Sequence, residues 1–96
     1  MKRHERRLFL NARSMTTRER AHEHLKERLR LPAWYGKNLD ALHDCLGEIN
    51  EPTRITLRFS PALEQTLGEY GLSILRVLQQ AAEENWNINL TVKPWF

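Results

Sequence analysis

The stretch LPAWYGKNLDALHDCL, Leu31 to Leu46, decides how the whole chain is read. A proline disfavours helix in the residue before it and cannot donate to a ladder, so Leu31-Pro32 predicts the end of a preceding helix. Trp34 and Tyr35 beside Gly36 suit a tight turn that presents two amphipathic rings, and Asn38 is placed to cap a new helix. From there Leu42, Cys45, Leu46 and Ile49 recur at i, i+3, i+4 and i+7, which sends one side of that helix into a core. The other side carries Asp40, Asp44 and Glu48, with Glu51 past the helix end, and no Lys or Arg lies between Lys37 and Arg54. Like charges at i, i+4 cost roughly 0.2–0.5 kcal/mol per pair, and Glu48 sits at the unfavourable end of the helix dipole. Stability does not account for such a row. A charged helix face is most often mere solvated surface, but here Trp34, Tyr35 and His43 flank the carboxylates, the composition of a binding hot spot.

The pattern LPxxYGxNLDALxDCL resembles the signature of the barstar family, intracellular inhibitors of secreted microbial ribonucleases. The resemblance implies a three-stranded parallel sheet in sequential order packed against helices. It also implies a barnase-like ribonuclease as partner, whose active site family members block with this helix and the loop before it. In that correspondence Trp34 matches an aromatic contact, Asp40 and Asp44 match the two helix carboxylates, and Asp44 takes the place of the family's strongest hot spot. The expected contact set is Trp34, Tyr35, Gly36, Asn38, Asp40, His43, Asp44, Gly47, Glu48 and Gln80. Three positions depart from the family pattern. His43 stands for a tryptophan, Lys37 for an acidic residue and Gln80 for a glutamate, so a less acidic face and a partner of altered specificity, or weaker binding, are expected. Tyr35 is equally suited to core packing, and Asn38 to capping rather than contact.

Upstream, Leu8, Phe9 and Leu10 within residues 5–12 read as a first strand. Thr16-Thr17-Arg18-Glu19 offers a capping box with Thr16 as the cap, followed by Ala21, Leu25 and Leu29 on one helical face. Downstream, Arg54 to Ser60 alternates as a strand with Ile55, Leu57 and Phe59 on one side and an exposed side of Thr56 and Arg58. Ser60-Pro61 opens a short helix to about Leu67, with serine as cap. Gly68 and Gly71 bracket a turn before a helix from Leu72 to about Asn85. Trp86, Ile88, Leu90 and Val92 then alternate as a third strand. The order β, α, α, β, α, α, β contains two long crossovers, which force parallel strands and right-handed connections. The fold class is therefore α/β, in one domain over residues 1–96.

The 96 residues carry a net charge of +3, which conceals an asymmetry. Residues 1–30 hold ten basic and four acidic side chains, and residues 31–96 hold five and eight. The basic half raises an alternative, a nucleic-acid-associated module built on residues 2–30. The interleaving of Arg18, Arg20, Lys26, Arg28 and Arg30 with Glu19, Glu23 and Glu27 favours an ordinary solvated helix instead, and no specific nucleic-acid partner is expected. A further alternative keeps the barstar fold with a non-nuclease partner. A single cysteine, Cys45 at an apolar position, fits a reducing compartment. MKRHERRLFL contains neither a secretory apolar core nor a membrane span, so a cytoplasmic monomer is expected. His22 with His24, and His43 with Cys45, are spaced two apart and cannot share a metal on a helix. His43 and Asp44 point about 100° apart and do not form a base with its orienting partner. No catalytic residue, metal or cofactor is expected.

Overall fold

A computed structural model describes residues 4–96. Strands β1 (Arg6–Asn11), β2 (Thr53–Arg58) and β3 (Ile88–Val92) form one parallel sheet in sequential order. Helices α1 (Arg18–Arg28) and α2 (Leu39–Gly47) make the first crossover, and α3 (Pro61–Leu67) and α4 (Glu69–Glu84) the second. The α/β class, the element order and the parallel pairing follow the expectation. In the register, Leu8 lies beside Ile55 and Ile55 beside Leu90, so one sheet face is aliphatic. That face meets Ala21 and Leu25 of α1 with Leu29 at its C-cap, Leu42 and Leu46 of α2, and Ile74 and Leu78 of α4 in a single core. The successive residues Arg7, Phe9, Arg54, Thr56 and Arg58 point the other way, as the period of a strand requires.

Several boundaries differ from the expectation, each for a local reason. The cap of α1 is Thr17, not Thr16: Thr17 is extended and its hydroxyl accepts from the Arg20 amide at 3.0 Å. That places an arginine three residues on, so the glutamate of a capping box is out of register. Pro32 is not what ends α1. Arg30 adopts φ 55°, the Leu31 amide donates to Lys26 O at 2.9 Å and the Arg30 amide to Glu27 O, which is a Schellman closure. Ser60 is itself helical and makes no capping bond, leaving α3 to the proline at its start. Phe59 falls outside β2 because its φ of 58° turns the chain away. Thr56, expected on the exposed side, is 7% exposed because β2 is the central strand and its neighbours close over it. Trp86 precedes β3 and is 84% exposed. Asn85 explains this, since its side chain donates to Leu46 O and Ile49 O and accepts from the Asn87 amide, holding the connection until Ile88.

The largest revision concerns Gly71. It is not in a turn but inside α4, buried, with the Leu63 backbone of α3 pressed against it. A Cβ there would overlap the carbonyl carbon and oxygen of Leu63. Gly71→Ala is therefore expected to destabilise the protein by about 2–3 kcal/mol or more, as overpacking of a backbone contact does. Gly47→Ala, with open space around the added methyl, should be neutral or stabilising by up to about 1 kcal/mol. Denaturant midpoints of the two variants measure the contrast.

Candidate functional site

The Pro32–Asn38 loop is tied down from its centre. The Tyr35 amide donates to Pro32 O, and the Tyr35 ring is buried, at 4% exposure. Its hydroxyl lies 2.6 Å from Nδ1 of His22, and Nε2 of the same imidazole lies 2.6 Å from the Tyr70 hydroxyl. One histidine thus joins the loop, α1 and α4. Tyr35, for which contact and core packing were both expected, packs in the core, with both its ring and its hydroxyl taken up internally. Burial raises its phenol pKa further above the usual range.

What the loop presents is Trp34, 71% exposed. Gly36 is exposed, and Lys37 takes φ 54° as the chain enters α2. Asn38 is occupied with capping: Oδ1 accepts from the Ala41 amide at 2.7 Å and Nδ2 donates to Gly36 O.

On α2 the division between sides is as expected. Leu42, Cys45 and Leu46 are buried, whereas Asp40, Asp44 and Glu48 are exposed together with Gly47. Burial, and secondarily Glu48 and Asp44, push the Cys45 thiol pKa up, which keeps it protonated. Glu51 does not extend the row as an unpaired charge, because Arg6 of β1 reaches it at 3.4 Å. The absence of cations in the local sequence was no guide to a partner arriving from another strand.

His43 leads to a residue the sequence did not bring forward. Its Nε2 lies 2.8 Å from Oε1 of Glu84, and Gln80 Nε2 donates to Glu84 Oε2 at 3.0 Å. These two bonds hold the Glu84 carboxyl below its usual pKa, with the His43 bond the larger cause. His43 also stands 3.9 Å from Asp44, too far for a hydrogen bond. The acidic surface therefore passes from α2 across His43 to α4, with Glu84 supplying a carboxylate one turn from Gln80. The available signal was the i, i+4 spacing of Gln80 and Glu84 on a helix that packs on α2.

The site thus offers exposed carboxylates and an exposed indole on a braced loop and helix. Among the described residues no cluster of three or more His, Cys, Asp or Glu could hold a metal ion, and no helix is long and apolar enough to cross a membrane. Of the basic residues 2–30, Lys2 and Arg3 lie outside the described residues. Arg13 and Arg18 lie over the rings of Phe59 and Tyr70, at 3.9 and 4.2 Å from their centroids, rather than in a common patch.

Two comparisons bear on this arrangement. The family model described as "Barstar (barnase inhibitor)" matches residues 6–93. A Bacillus subtilis (strain 168) protein named "Putative ribonuclease inhibitor YrdF" is 38% identical over 80 residues, covering 82% of this chain and 88% of that protein.

The two inward histidines make stability depend on pH. His22 is held below its ordinary value of 6.5 by burial and then by Lys37. His24, whose Nε2 accepts from the Asn11 amide at 3.0 Å, is lowered by burial and Arg28, against a smaller opposing effect of Glu27. A histidine with a lowered folded pKa binds more protons unfolded than folded, so its stabilising contribution is full above about pH 6.5 and declines as pH falls below it. Denaturant midpoints between about pH 7.5 and 5 should therefore drop with acidification. His24→Gln and His22→Leu should each reduce the slope, whatever they do to the absolute midpoint. A flat profile in the parent protein would contradict the lowered pKa values.

Proposed function

The chain belongs to the barstar family, and from that premise we propose that it is a non-catalytic inhibitor of a barnase-like ribonuclease. It would lay α2 and the Trp34 loop across the enzyme's cationic active site. The observation that carries this proposal is the exposed row Asp40, Asp44 and Glu48 on a helix whose opposite side is locked into the core. A ribonuclease site is built to receive phosphates. Carboxylates at one-turn spacing on a rigid helix can take the same donors through charge-assisted hydrogen bonds. Trp34 and His43 flank the row, Gly36 and Gly47 leave it unobstructed, and Gln80 with Glu84 extends it onto α4.

The proposal has a compartment and a biological class attached. An inhibitor that protects a cell from a ribonuclease must act where the cell's own RNA is, so a cytoplasmic antitoxin or immunity role fits the chemistry. The family's departures at Lys37, His43 and Gln80 would tune specificity. In particular, His43, held by Glu84, replaces a large ring with a smaller, hydrogen-bonded one.

Two outcomes test the proposal. Association with a purified barnase-like ribonuclease should be fast at low ionic strength and slow steeply with added salt, since screening acts on the diffusional encounter. A rate indifferent to salt would count against an acidic docking face. Asp44→Ala should leave unfolding within about 0.5 kcal/mol of the parent, because Asp44 is exposed and has like charges a turn away. Binding should weaken by about 2–5 kcal/mol or more, because cations in the enzyme lose their partner. That expectation is borrowed in part from the family archetype, whose aspartate is a standard case of an interface hot spot. Unchanged inhibition of a confirmed partner would mean that α2 is not the binding face.

A further inference from the structure

A parallel sheet is ordinarily covered on both faces, yet here the core lies on one side only. The other side carries Arg7 and Phe9 from β1, Arg54, Thr56 and Arg58 from β2, and Thr91 from β3, with Lys93 just beyond. Phe9, on the edge strand β1, is 42% exposed. The Arg58 guanidinium stacks on it, 4.7 Å from the ring centroid. Arg54 is paired with Glu5 at 3.1 Å, whereas Arg7, Arg58 and Lys93 have no carboxylate partner among the described residues. Arg7, Phe9, Arg54, Thr56, Thr91 and Lys93 line an open depression of about 440 Å³, with Arg58 outside its lining.

Three unpaired cations around an exposed π platform match one class of ligand in both charge and shape. We propose that the bare sheet face binds single-stranded RNA without sequence preference, its phosphates meeting Arg7, Arg58 and Lys93 and a base stacking on the Phe9–Arg58 pair. Arg7 stands on the edge strand β1, and Lys93 follows the other edge strand, β3. A backbone crossing the sheet therefore meets a cation at each margin, with the stacking platform spanning β1 and β2. Aromatic and guanidinium faces accept any base, which is why sequence selectivity is not expected. The cations alone would suit any polyanion; the exposed ring favours one that carries flat apolar bases. This surface is separate from the acidic row on α2 and does not depend on what that row binds.

The test is fluorescence anisotropy of a labelled oligouridylate and a mixed-sequence RNA of equal length, with the full chain and no nuclease present. Both should bind alike, and affinity should fall on the order of tenfold between about 50 and 200 mM salt, as expected for about three phosphate contacts on a single strand. Lys93→Ala and Arg58→Gln should each weaken binding and lower the salt slope by about 0.7 to 1. Phe9→Ala should weaken it about fivefold or more through lost stacking. Thermal unfolding checks that Phe9→Ala is folded, and Arg58→Gln tests the same platform if it is not. Arg20→Ala, on α1, should have no effect, and inhibition of a ribonuclease should be unchanged in all the sheet variants. No binding at low salt overturns the proposal, as does loss of binding in Arg20→Ala with the sheet variants unaffected. Heparin bound as tightly as RNA, with Phe9→Ala silent, would make the face a generic polyanion surface and overturn the RNA assignment. A concentration-dependent dimer that expels RNA would assign the face to a second copy of the chain.

Discussion

What the Pro32–Asn38 loop presents depends on one buried imidazole. His22 has a phenol on each ring nitrogen, Tyr35 on one side and Tyr70 on the other. A neutral imidazole has one N–H and one lone pair, so one tyrosine donates and the other accepts. A charged imidazole would instead donate to both phenols, so the uncharged form is the one in which the two tyrosines take opposite roles. Burial favours that neutral form. The result braces a loop that has little else to hold it, since Trp34, Gly36 and Lys37 are all exposed. A binding loop fixed in advance gives up less conformational freedom on association than a mobile one. The burial of Tyr35 thus fixes the loop on which Trp34 is exposed.

The helix that follows is organised against its own local stability. Asp44 and Glu48 repel along the helix, and Glu48 caps the end that favours cations. Other parts of the chain offset this. Asn38 caps the first turn, Leu42, Cys45 and Leu46 are buried, and Asn85 donates to the carbonyls of Leu46 and Ile49 at the far end. A net hydrogen bond contributes about 0.5–1.5 kcal/mol, so two such bonds outweigh a pair or two of like charges. Unfavourable charges persist where packing and capping can carry them.

Much of this was legible in local sequence. Periodicity placed β1, the apolar side of α2 and the parallel topology, and Asn38 as a cap needed only a residue type and a position. Several of the failures share a cause, in that a residue far along the chain decided them. His22 sits in AHEHLKER, where its neighbours suggest solvent, and the tyrosines that bury it lie 13 and 48 positions away. Gly71 reads as turn punctuation, yet it is needed because α3 folds back and brings the Leu63 backbone against α4. Glu51 lost its free charge to Arg6, a residue on another strand. Thr16 and Thr17 are chemically alike, and only the geometry of the chain chose between them. Local pattern identifies elements and their apolar sides; partners between elements follow from how the layers meet.

Charge shows the same limit in its most consequential form. A net value of +3 suggests a mildly basic protein, and the split between residues 1–30 and 31–96 suggests a basic half and an acidic half. Neither describes the folded surface. β2 and β3 belong to the acidic half of the sequence but bring Arg54, Arg58 and Lys93 to the same sheet face as Arg7 of the basic half. The helical layer keeps Asp40, Asp44 and Glu48 in a row, with Glu84 beside them. Folding has therefore sorted by face charges that the sequence arranges by segment. Near a surface the screening length is about 8 Å at physiological salt. Over that range an approaching cationic protein responds to the row it faces and hardly at all to the molecule's total charge. A net positive chain can thus dock a positive partner through an acidic helix, provided the cations are held on another face, and the alternation of the strands is what holds them there.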